Sequence, residues 1–506
     1  MSDDSVSRTP LRVAVIGGGI SGMAATHRLI ELARETNRPL NLVLYEAADR
    51  LGGVAETLRI GEYLVESGPD MFITNQPAAV QLCARLGLSD QLIPTDTTHR
   101  GSLVLRKGRP VRVPDGFMLL SPAKIWPVLT SPIFSPLGKL RMGLELFLPR
   151  KRGDDDESLA SFVRRRFGTE ALDRLIQPLV GGIYTADPEK LSLKATMSRF
   201  IDMEAQHRSL ILASRRQAAS DAKKPEFEGS GARYGLFTTL RDGLSVLFDR
   251  LQSVIAPECD LRLGTGVSSV SVNDDGTATV IAADGTSDVF DRVLLANRAP
   301  RAADVLDAGS SAAASSEVGQ LANLLRQIHY ASTAIVVSGH RLDDIEHPLD
   351  AFGLVIPEIE RRRLLAVSFA SRKFPGRAPD GHILLRTFVG GAMQAELLDR
   401  SDDEILSIVR EELDAILGVR GKPDFARVCR YSNAMPQYHV GHCERVADID
   451  KVAARIPQIE LAGNAFTGVG IPDCIKSGEA AAERILRPDK PKKSDSIDED
   501  AGRPQG

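Results

Sequence analysis

A glycine-rich turn near the start of the sequence has the residue types and spacing of a phosphate-binding loop. Gly17-Gly18-Gly19-Ile20-Ser21-Gly22 fits the pattern G-x-G-x-x-G. In this pattern the first glycine permits a tight turn, the second lets the backbone approach a pyrophosphate, and the third allows close helix packing. Glycine-rich turns also occur with nothing bound, so the elements around the turn decide its meaning.

Those elements are two apolar segments and one amphipathic segment. Residues 11–16 predict a strand that ends at the turn, and the apolar spacing of residues 23–33 predicts a helix after it. Residues 40–45 predict a second strand, and Glu46 ends that strand where an acid can accept hydrogen bonds from an adenosine ribose. The order strand, helix, strand favours a dinucleotide fold over the alternative that Glu46 is a solvated strand end.

The residues after Glu46 separate the candidate cofactors. Arg50, Gly52 and Gly53 complete the pattern E-x-x-x-R-x-G-G. An arginine beside two glycines can hold another part of an extended anionic ligand, which a plain NAD domain does not require. The pattern resembles that of the large FAD-dependent oxidase and desaturase superfamily, so it favours FAD. The alternative is that Arg50 forms a surface ion pair.

Two later segments predict the remainder of such a domain. Residues 267–280 predict a hairpin that turns at residues 273–276, and residues 292–296 predict a buried strand. In the superfamily the residue matching Val267 meets the adenine through its backbone; the alternative is an ordinary structural hairpin.

A strand at residues 459–462 ends in Gly463-Asn464, and Gly468-Val469-Gly470-Ile471 then leads into a helix that runs to residue 486. Pro472 suits the first turn of a helix, and Asp473 can accept hydrogen bonds from its free N–H groups. The positive end of this helix, facing a flavin pyrimidine, would stabilise the charge that develops on reduction.

Four motifs together identify the chain as a member of the protoporphyrinogen/coproporphyrinogen oxidase family of haem synthesis. They are GPDMF at residues 68–72, PLVGGIYTADPEKLS at 178–192, AMPQYHVGH at 434–442 and GVGIPDCI at 468–475. The resemblance implies an FAD enzyme that takes six electrons from a porphyrinogen as three hydrides, with O₂ as acceptor and peroxide as product. No metal is implied, and no catalytic base is nominated, because His439 and His442 are interpreted as structural hydrogen-bonding residues.

The resemblance and the motifs also give a set of predicted cofactor contacts. They are Gly17, Gly18, Gly19, Ile20, Ser21, Gly22, Glu46, Arg50, Gly52, Gly53, Gly68, Pro69, Asp70, Met71, Val267, Gly463, Asn464, Gly468, Val469, Gly470 and Ile471.

Family members carry arginine, asparagine or aspartate at the place of Asp70, so this chain departs from the arginine-bearing members. An acid facing the substrate propionates is unfavourable unless it binds pyrrole N–H groups or turns away. The residue that anchors the propionates stays open, with Arg100 and Arg199 among the candidates.

Composition limits the partners and the compartment. The 506 residues carry 63 basic and 67 acidic side chains, a net charge of −4, so bulk charge gives no argument for nucleic-acid binding. Five scattered cysteines without a CxxC spacing argue against a disulfide framework or a zinc site, and the chain start lacks a secretory signal. A cytoplasmic protein is therefore expected.

The segment from Arg100 to Arg152 is unusual because it combines eleven basic residues and two acidic residues with many apolar ones. Two interpretations stay open: peripheral binding to an anionic bilayer, or a helical subdomain with a solvated rim. A homodimer is the other partner left open.

These segments predict an α/β protein with a discontinuous Rossmann-like FAD-binding domain. The predicted parts are an FAD domain (8–76, 226–305 and 428–488), a mainly helical inserted domain (100–225), a sheet-containing substrate domain (306–427) and a disordered tail (489–506). Within the substrate domain we expect strands at 334–338, 366–369 and 383–389, and a helix at 402–417.

Two rival functions remain. One is an amine oxidase or carotenoid-type desaturase on the same fold, and the other is a binding protein that keeps the dinucleotide fold without redox activity. The sequence leaves the substrate open between coproporphyrinogen III and protoporphyrinogen IX, and Asp70 tilts the choice toward the former by analogy.

Overall fold

The structure is a computed structural model that describes residues 9–115, 117–118, 120–122, 125–221, 236–310 and 316–486. The predicted disordered tail at 489–506 and residues 226–235 of the predicted FAD domain lie outside these ranges.

Strands and helices are numbered in chain order. The strands are β1 (Leu11–Ile16), β2 (Leu40–Tyr45), β3 (Thr57–Ile60), β4 (Tyr63–Glu66), β5 (Phe72–Ile73), β6 (Leu92–Pro94), β7 (Leu103–Arg106), β8 (Arg109–Arg112), β9 (Phe117–Met118), β10 (Ser121–Pro122), β11 (Phe237–Leu240), β12 (Asp260–Arg262), β13 (Val267–Val272), β14 (Ala278–Ala282), β15 (Ser287–Phe290), β16 (Arg292–Leu295), β17 (Tyr330–Arg341), β18 (Gly353–Val355), β19 (Ala366–Phe369), β20 (His382–Gly390), β21 (Phe425–Pro436) and β22 (Ile459–Leu461). The helices are α1 (Ile20–Thr36), α2 (Ala78–Arg85), α3 (Ile125–Thr130), α4 (Pro136–Gly143), α5 (Leu159–Arg166), α6 (Thr169–Ala171), α7 (Gln177–Tyr184), α8 (Leu193–His207), α9 (Leu210–Asp221), α10 (Ser245–Ile255), α11 (Ala299–Gly309), α12 (Glu317–Arg326), α13 (Ala370–Lys373), α14 (Asp402–Leu417), α15 (His442–Ala453) and α16 (Ile471–Leu486).

Five of the described strands form a parallel sheet in the order β12-β2-β1-β16-β22. Side chains of β1 alternate between two apolar cores: Val13 and Val15 pack among α1, α10 and α16, whereas Ala14 and Ile16 pack among α11, α12 and α15. A strand buried on both faces in this way reads as a continuous apolar run, as residues 11–16 do. The sheet joins the three sequence-remote parts of the predicted FAD domain.

A second sheet takes seven strands from within the described ranges, in the order β21-β17-β20-β19-β18-β7-β8. Its strands β17, β19 and β20 contain the three strands predicted for the substrate domain, and α14 spans the predicted helix at 402–417. The apolar side of α14 and buried residues of β20 share one core, on the face of the sheet away from the dinucleotide fold.

Two of the predicted domain boundaries cut through this sheet. β7 and β8 belong to the segment predicted as helical, yet β7 pairs with β18 because Leu103 and Leu105 are buried in the same core as Leu354. β21 likewise crosses residue 428, where the FAD domain was expected to resume. The division into domains stays a prediction. The seven-stranded sheet takes strands from more than one of the predicted domains.

The rest of the inserted segment is mainly helical, with α3 to α9 packed on a core of their own. A buried ion pair holds this core together: Arg166 on α5 pairs with Glu145, and neither side chain is exposed. Glu145 also accepts hydrogen bonds from Ser209 Oγ at 2.6 Å and Leu210 N at 2.8 Å, at the start of α9. The carboxylate therefore ties α5 to the start of α9.

Removing one partner of this pair should leave a buried charge uncompensated. We expect Arg166→Met to destabilise the protein by about 3–5 kcal/mol, measured by urea unfolding followed by circular dichroism. Arg164→Met is the matched control, because Arg164 lies on the same helix and pairs with Glu189 at the surface. That control should cost about 0–1 kcal/mol. Equal losses in the two variants would contradict the assigned role of the buried pair.

Candidate active site

The glycine turn has the shape that a pyrophosphate requires. Gly17 has a φ of +113°, which favours glycine, and a Cβ atom on Gly22 would lie 1.9 Å from Gly17 O. A Cβ atom on Gly19 would meet nothing within 4 Å, because Gly19 faces open space at the start of α1. The turn is thus closed where the helix packs and open where the phosphates would lie.

Glu46 and the Arg50 loop lie directly beside this turn. Glu46 Oε2 accepts a hydrogen bond from Gly18 N at 2.7 Å, and Gly52 N donates to Gly18 O at 2.9 Å. A Cβ atom on Gly53 would lie 3.2 Å from Gly19 Cα. The structure therefore brings together the two glycine motifs that the sequence predicts to share one ligand.

Arg50 organises its own loop. Its guanidinium donates to Leu51 O at 3.2 Å, Ala55 O at 3.0 Å and Gly53 O at 3.0 Å. Its Nε also lies 3.5 Å from Glu56 Oε1, so the surface ion pair considered above is present. This ion pair is compatible with a cofactor contact, and that contact stays a prediction.

The C-terminal helix α16 enters the same cleft from the other end of the chain. A Cβ atom on Gly478 would lie 2.2 Å from Ser21 O, so α16 crosses the start of α1 in backbone contact. The helix begins at Ile471, and Asp473 Oδ2 accepts from Gly470 N at 3.2 Å. The N-termini of α1 and α16, both of which attract negative charge, are thereby close together.

One buried polar atom in this cleft awaits a partner. Asn297 Oδ1 is buried and accepts no hydrogen bond from the described residues. A Cβ atom on Gly17 would lie 3.2 Å from Asn297 N, and one on Gly463 would lie 3.9 Å from Asn297 O. An unpaired buried oxygen beside two predicted contact residues, together with the open space at Gly19, fits a bound dinucleotide.

The predicted hairpin consists of β13 and β14, and it begins beside the residue that follows Glu46. Val267 is buried at its start, and Val267 O accepts from Arg301 Nη2 at 2.9 Å. A Cβ atom on the preceding Gly266 would lie 3.5 Å from the side chain of Ala47, which follows Glu46. The structure therefore places Val267 near the end of β2, as a role at the adenine requires.

The GPDMF segment lies under the seven-stranded sheet. Asp70 Oδ2 is 2.8 Å from Lys373 Nζ and 2.8 Å from Arg386 Nη1. Despite burial, these two cations hold the pKa of Asp70 well below its ordinary value. Gly68 is packed so closely that a Cβ atom would lie 2.0 Å from Val54 O. Asp70 therefore turns toward a cation of α13 and a cation of β20, and these two charges explain how an acid is tolerated here.

The AMPQYHVGH motif supports the loop between β22 and α16. Tyr438 Oη donates to Asn464 O at 2.6 Å, and His442 Nε2 donates to Phe466 O at 2.9 Å. The two rings stack with centroids 4.0 Å apart, and burial lowers the pKa of His442 to about 4. His442 is thus buried and hydrogen-bonded, and its structural role stays a prediction.

The structure does not choose between the two arginines considered for the propionates. Arg100 is exposed, and its carbonyl accepts from Arg112 Nη1 at 3.0 Å. Arg199 is exposed on α8 and has no ion pair with any described carboxylate; its guanidinium lies 4.7 Å from the Phe200 ring. α8 is kinked just before it, at Met197.

Sequence reasoning missed Lys373, Arg386 and Tyr438. Arg386 had a signal, because it stands alone among apolar residues in ILLRTFV, where a buried strand leaves no room for an unpaired charge. Lys373 lies in the polar turn SRKFPGR and Tyr438 in a recognised motif, and neither position stands out by spacing.

A separate cavity of about 810 Å³ lies between α5 to α7 and the loops that follow β18 and β20. Arginines and carboxylates line it in similar numbers, and none of the predicted cofactor contacts is among its lining residues. We assign it no role.

Comparison with known proteins identifies the family of this chain and its cofactor. The profile of the family described as flavin-containing amine oxidoreductase matches residues 20–486. The chain belongs to this family. It is an FAD-dependent oxidoreductase, which confirms the predicted cofactor and the predicted enzyme class. Membership also argues against a non-redox binding protein.

Individual relatives extend this result. The chain is 34% identical to the coproporphyrinogen III oxidase of Bacillus subtilis over 481 residues, which is 94% of this chain and 97% of the relative. It is 29% identical to protoporphyrinogen oxidase 2 of Arabidopsis thaliana, with 94% of each chain covered. The predicted resemblance to these oxidases is confirmed.

Solved structures confirm the predicted fold class. A candidate protoporphyrinogen oxidase from Exiguobacterium sp. 255-15 superposes with a TM-score of 0.81 at 27% identity, covering 94% of this chain and 99% of that one. A putrescine oxidase variant superposes with a TM-score of 0.65 at 17% identity, and that likeness concerns the fold alone.

A substitution at Gly19, which faces open space, tests the predicted position of the pyrophosphate. Gly19→Ala should weaken FAD binding at least tenfold, because the methyl group would occupy the predicted pyrophosphate position. Gly19 has a φ of −73°, which alanine adopts readily, so apoprotein stability should change by less than about 1 kcal/mol. Isothermal titration with FAD and urea unfolding measure the two quantities.

Gly143→Ala is the control for this substitution, because a Cβ atom there would also meet nothing within 4 Å. It should leave FAD affinity unchanged. Unaltered affinity in Gly19→Ala would contradict the assignment of the phosphate position.

Proposed function

We propose that this chain oxidises a porphyrinogen to the porphyrin, with coproporphyrinogen III preferred over protoporphyrinogen IX. The carrying observation is that its nearly full-length likeness to coproporphyrinogen III oxidases, at 31–34% identity, exceeds its 27–29% likeness to plant protoporphyrinogen oxidases. The described cleft supports the same function, because it joins a dinucleotide site to a sheet that covers it.

We propose as cofactor contacts the residues predicted from the sequence, and the geometry gives each group a task. The glycine turn and the N-terminus of α1 hold the pyrophosphate, and Glu46 meets the adenosine ribose. The loop after β22, held by Tyr438 and His442, and the N-terminus of α16 orient the flavin ring. When bound, FAD supplies the hydride acceptor, and O₂ is its proposed oxidant.

The substrate itself makes a catalytic base unnecessary. A methylene bridge between two pyrroles gives up hydride readily because the cation left behind is delocalised. The chain must then hold that carbon against the flavin and keep water out. Arg386 of β20 reaches the backbone of Gly68 in the GPDMF segment, and Phe388 lies on the same face of this strand, so that face is suited to the task.

A direct assay tests the function. Holoenzyme is mixed anaerobically with each porphyrinogen, and air is then admitted while porphyrin fluorescence is followed. We expect both substrates to be oxidised, coproporphyrinogen III with the higher kcat/KM, and three molecules of peroxide to form per porphyrin. Oxidation of putrescine or another amine, with no effect on porphyrinogens, would favour the amine oxidase interpretation and contradict this proposal.

We also propose that the helical segment binds an anionic membrane surface from the cytoplasm. Among the described residues, no helix is long and apolar enough to span a bilayer. The described residues of its first part, between 100 and 152, nevertheless expose six large apolar side chains, namely Trp126, Leu129, Leu137, Leu140, Leu144 and Phe147. Trp126, Leu137 and Phe147 are each more than 70% exposed, which is costly in water and favourable at a lipid interface.

The charge beside this apolar surface fits lipid headgroups. A groove of about 590 Å³ next to Phe147 is lined by Arg150, Arg152 and Arg208, and no carboxylate lines it. Four other basic residues of the segment, Arg106, Lys107, Arg109 and Arg112, lie on the β7–β8 hairpin instead. All five cysteines are free, which suits a cytoplasmic location. A homodimer stays a prediction.

Vesicle flotation tests the membrane surface. The intact protein should float with vesicles that contain phosphatidylglycerol and not with pure phosphatidylcholine. Trp126→Ser/Phe147→Ser should reduce the bound fraction about tenfold, because two exposed aromatic anchors are lost. Ile359→Ser is the control, since Ile359 is exposed outside this segment. Equal flotation of all three proteins, or none, would contradict the proposal.

A further inference from the structure

Three charged residues link the GPDMF segment to the sheet above it. Asp70 pairs with Lys373 and Arg386 at 2.8 Å each, and Arg386 also donates to Gly68 O. Lys373 is 7% exposed and Arg386 2% exposed. We call these three residues the Asp70 cluster.

The Asp70 cluster carries a surplus positive charge. It has two cations and one carboxylate, and no other described carboxylate forms an ion pair with Lys373 or Arg386. Arg386 Nε is buried and has no hydrogen-bond partner among the described residues. An uncompensated charge inside a protein is costly, so the cluster is arranged to receive an anion.

Neighbouring charged groups do not remove this surplus. Arg377 is buried nearby and donates to the backbone carbonyls of Arg241 and Leu240. Glu66 accepts from Leu244 N at 2.8 Å and from Thr57 Oγ1 at 2.9 Å, and burial raises its pKa to about 7. Counting Arg377 and a fully ionised Glu66 leaves the local charge at +1.

The position of the cluster favours a ligand of the cleft as the source of the anion. Arg386 and Phe388 alternate onto one face of β20, and the guanidinium lies 5.6 Å from the Phe388 ring. That face packs against β4, and Arg386 reaches the backbone of Gly68, at the start of the predicted cofactor segment. The cluster therefore lies where the covering sheet meets the cleft.

We propose that the Asp70 cluster determines substrate specificity by attracting a carboxylate of the substrate, so that porphyrinogens with more propionates bind better. This inference rests on the proposed function. The reduced cofactor is the other source of negative charge, but the N-terminus of α16 already offers it a positive partner. Coproporphyrinogen III has four propionates and protoporphyrinogen IX has two, so the pair of substrates reports the effect.

Three variants change the charge stepwise. Lys373→Met lowers the cluster from +1 to 0, Asp70→Asn raises it to +2, and the double variant returns it to +1. Steady-state kinetics of each holoenzyme are compared on both porphyrinogens. Lys451→Met is the control, because Lys451 is an exposed lysine on α15.

We expect Lys373→Met to raise KM for coproporphyrinogen III about tenfold and for protoporphyrinogen IX about threefold or less, with kcat within about twofold. Asp70→Asn should shift the preference in the opposite direction, and the double variant should restore it. The two single variants are expected to change the substrate preference in opposite directions. If Lys373→Met does not fold, Asp70→Asn therefore tests the proposal alone.

Three results would overturn the proposal: a double variant with the summed losses of the single ones, equal KM changes on both substrates, or an FAD midpoint potential that follows the charge while substrate preference stays constant. The last result would assign the charge to the cofactor. If the unmodified holoenzyme oxidises neither porphyrinogen, the proposed function fails before any variant is compared.

Discussion

The backbone contact between α1 and α16 is the constraint on which the site depends. With any larger residue at Gly478, a side chain would meet Ser21 O, and the two helices could not cross so closely. Their crossing brings the N-terminal ends of both helices, one from each end of the chain, to a single cleft. Each end offers unpaired N–H groups and partial positive charge, so both ends of the crossing favour an extended anionic ligand.

A second constraint fixes the distance between the covering sheet and the GPDMF segment. Arg386 projects from the middle of β20 and binds both Gly68 O and the Asp70 carboxylate. The sheet and the cofactor segment are therefore held by charge-assisted hydrogen bonds, which depend on distance and angle more sharply than apolar contacts do. On the opposite face, α14 packs through apolar residues such as Ile405 and Leu413, and Asp402 at its start pairs with Arg430 of β21.

Local features of the site could be predicted from the sequence because short segments determine them. The glycine turn and the helix after Gly470 each follow from spacing within about ten residues, and Glu46 follows from its place at the end of β2, 24 residues beyond Gly22. The strands of the second sheet also followed from apolar patterning. The pairing of these strands could not be predicted in the same way. β7 pairs with β18 through residues about 250 positions apart, and the periodicity of a sequence carries no information about contacts over that distance.

The Asp70 cluster shows the same limit at the level of single residues. Asp70 alone suggested an acid in an unfavourable place, and the sequence offered many cations without indicating which would lie near it. The partners came from the turn before β20 and from β20 itself, about 300 residues away. Only Arg386 could have indicated this cluster from the sequence, because an isolated charge in an apolar strand requires a partner from elsewhere in the fold.

The buried charges of this protein are better explained by positioning than by stability. A buried ion pair contributes little net free energy, because desolvation offsets most of the attraction. Yet Glu145 with Arg166 joins α5 to the start of α9, and Asp70 with Arg386 joins a loop to a sheet. Each pair connects elements that are distant in sequence and must meet at a fixed distance. The first neutralises itself, whereas the second retains a surplus positive charge, and only the second lies beside the cleft where an anionic ligand would complete it.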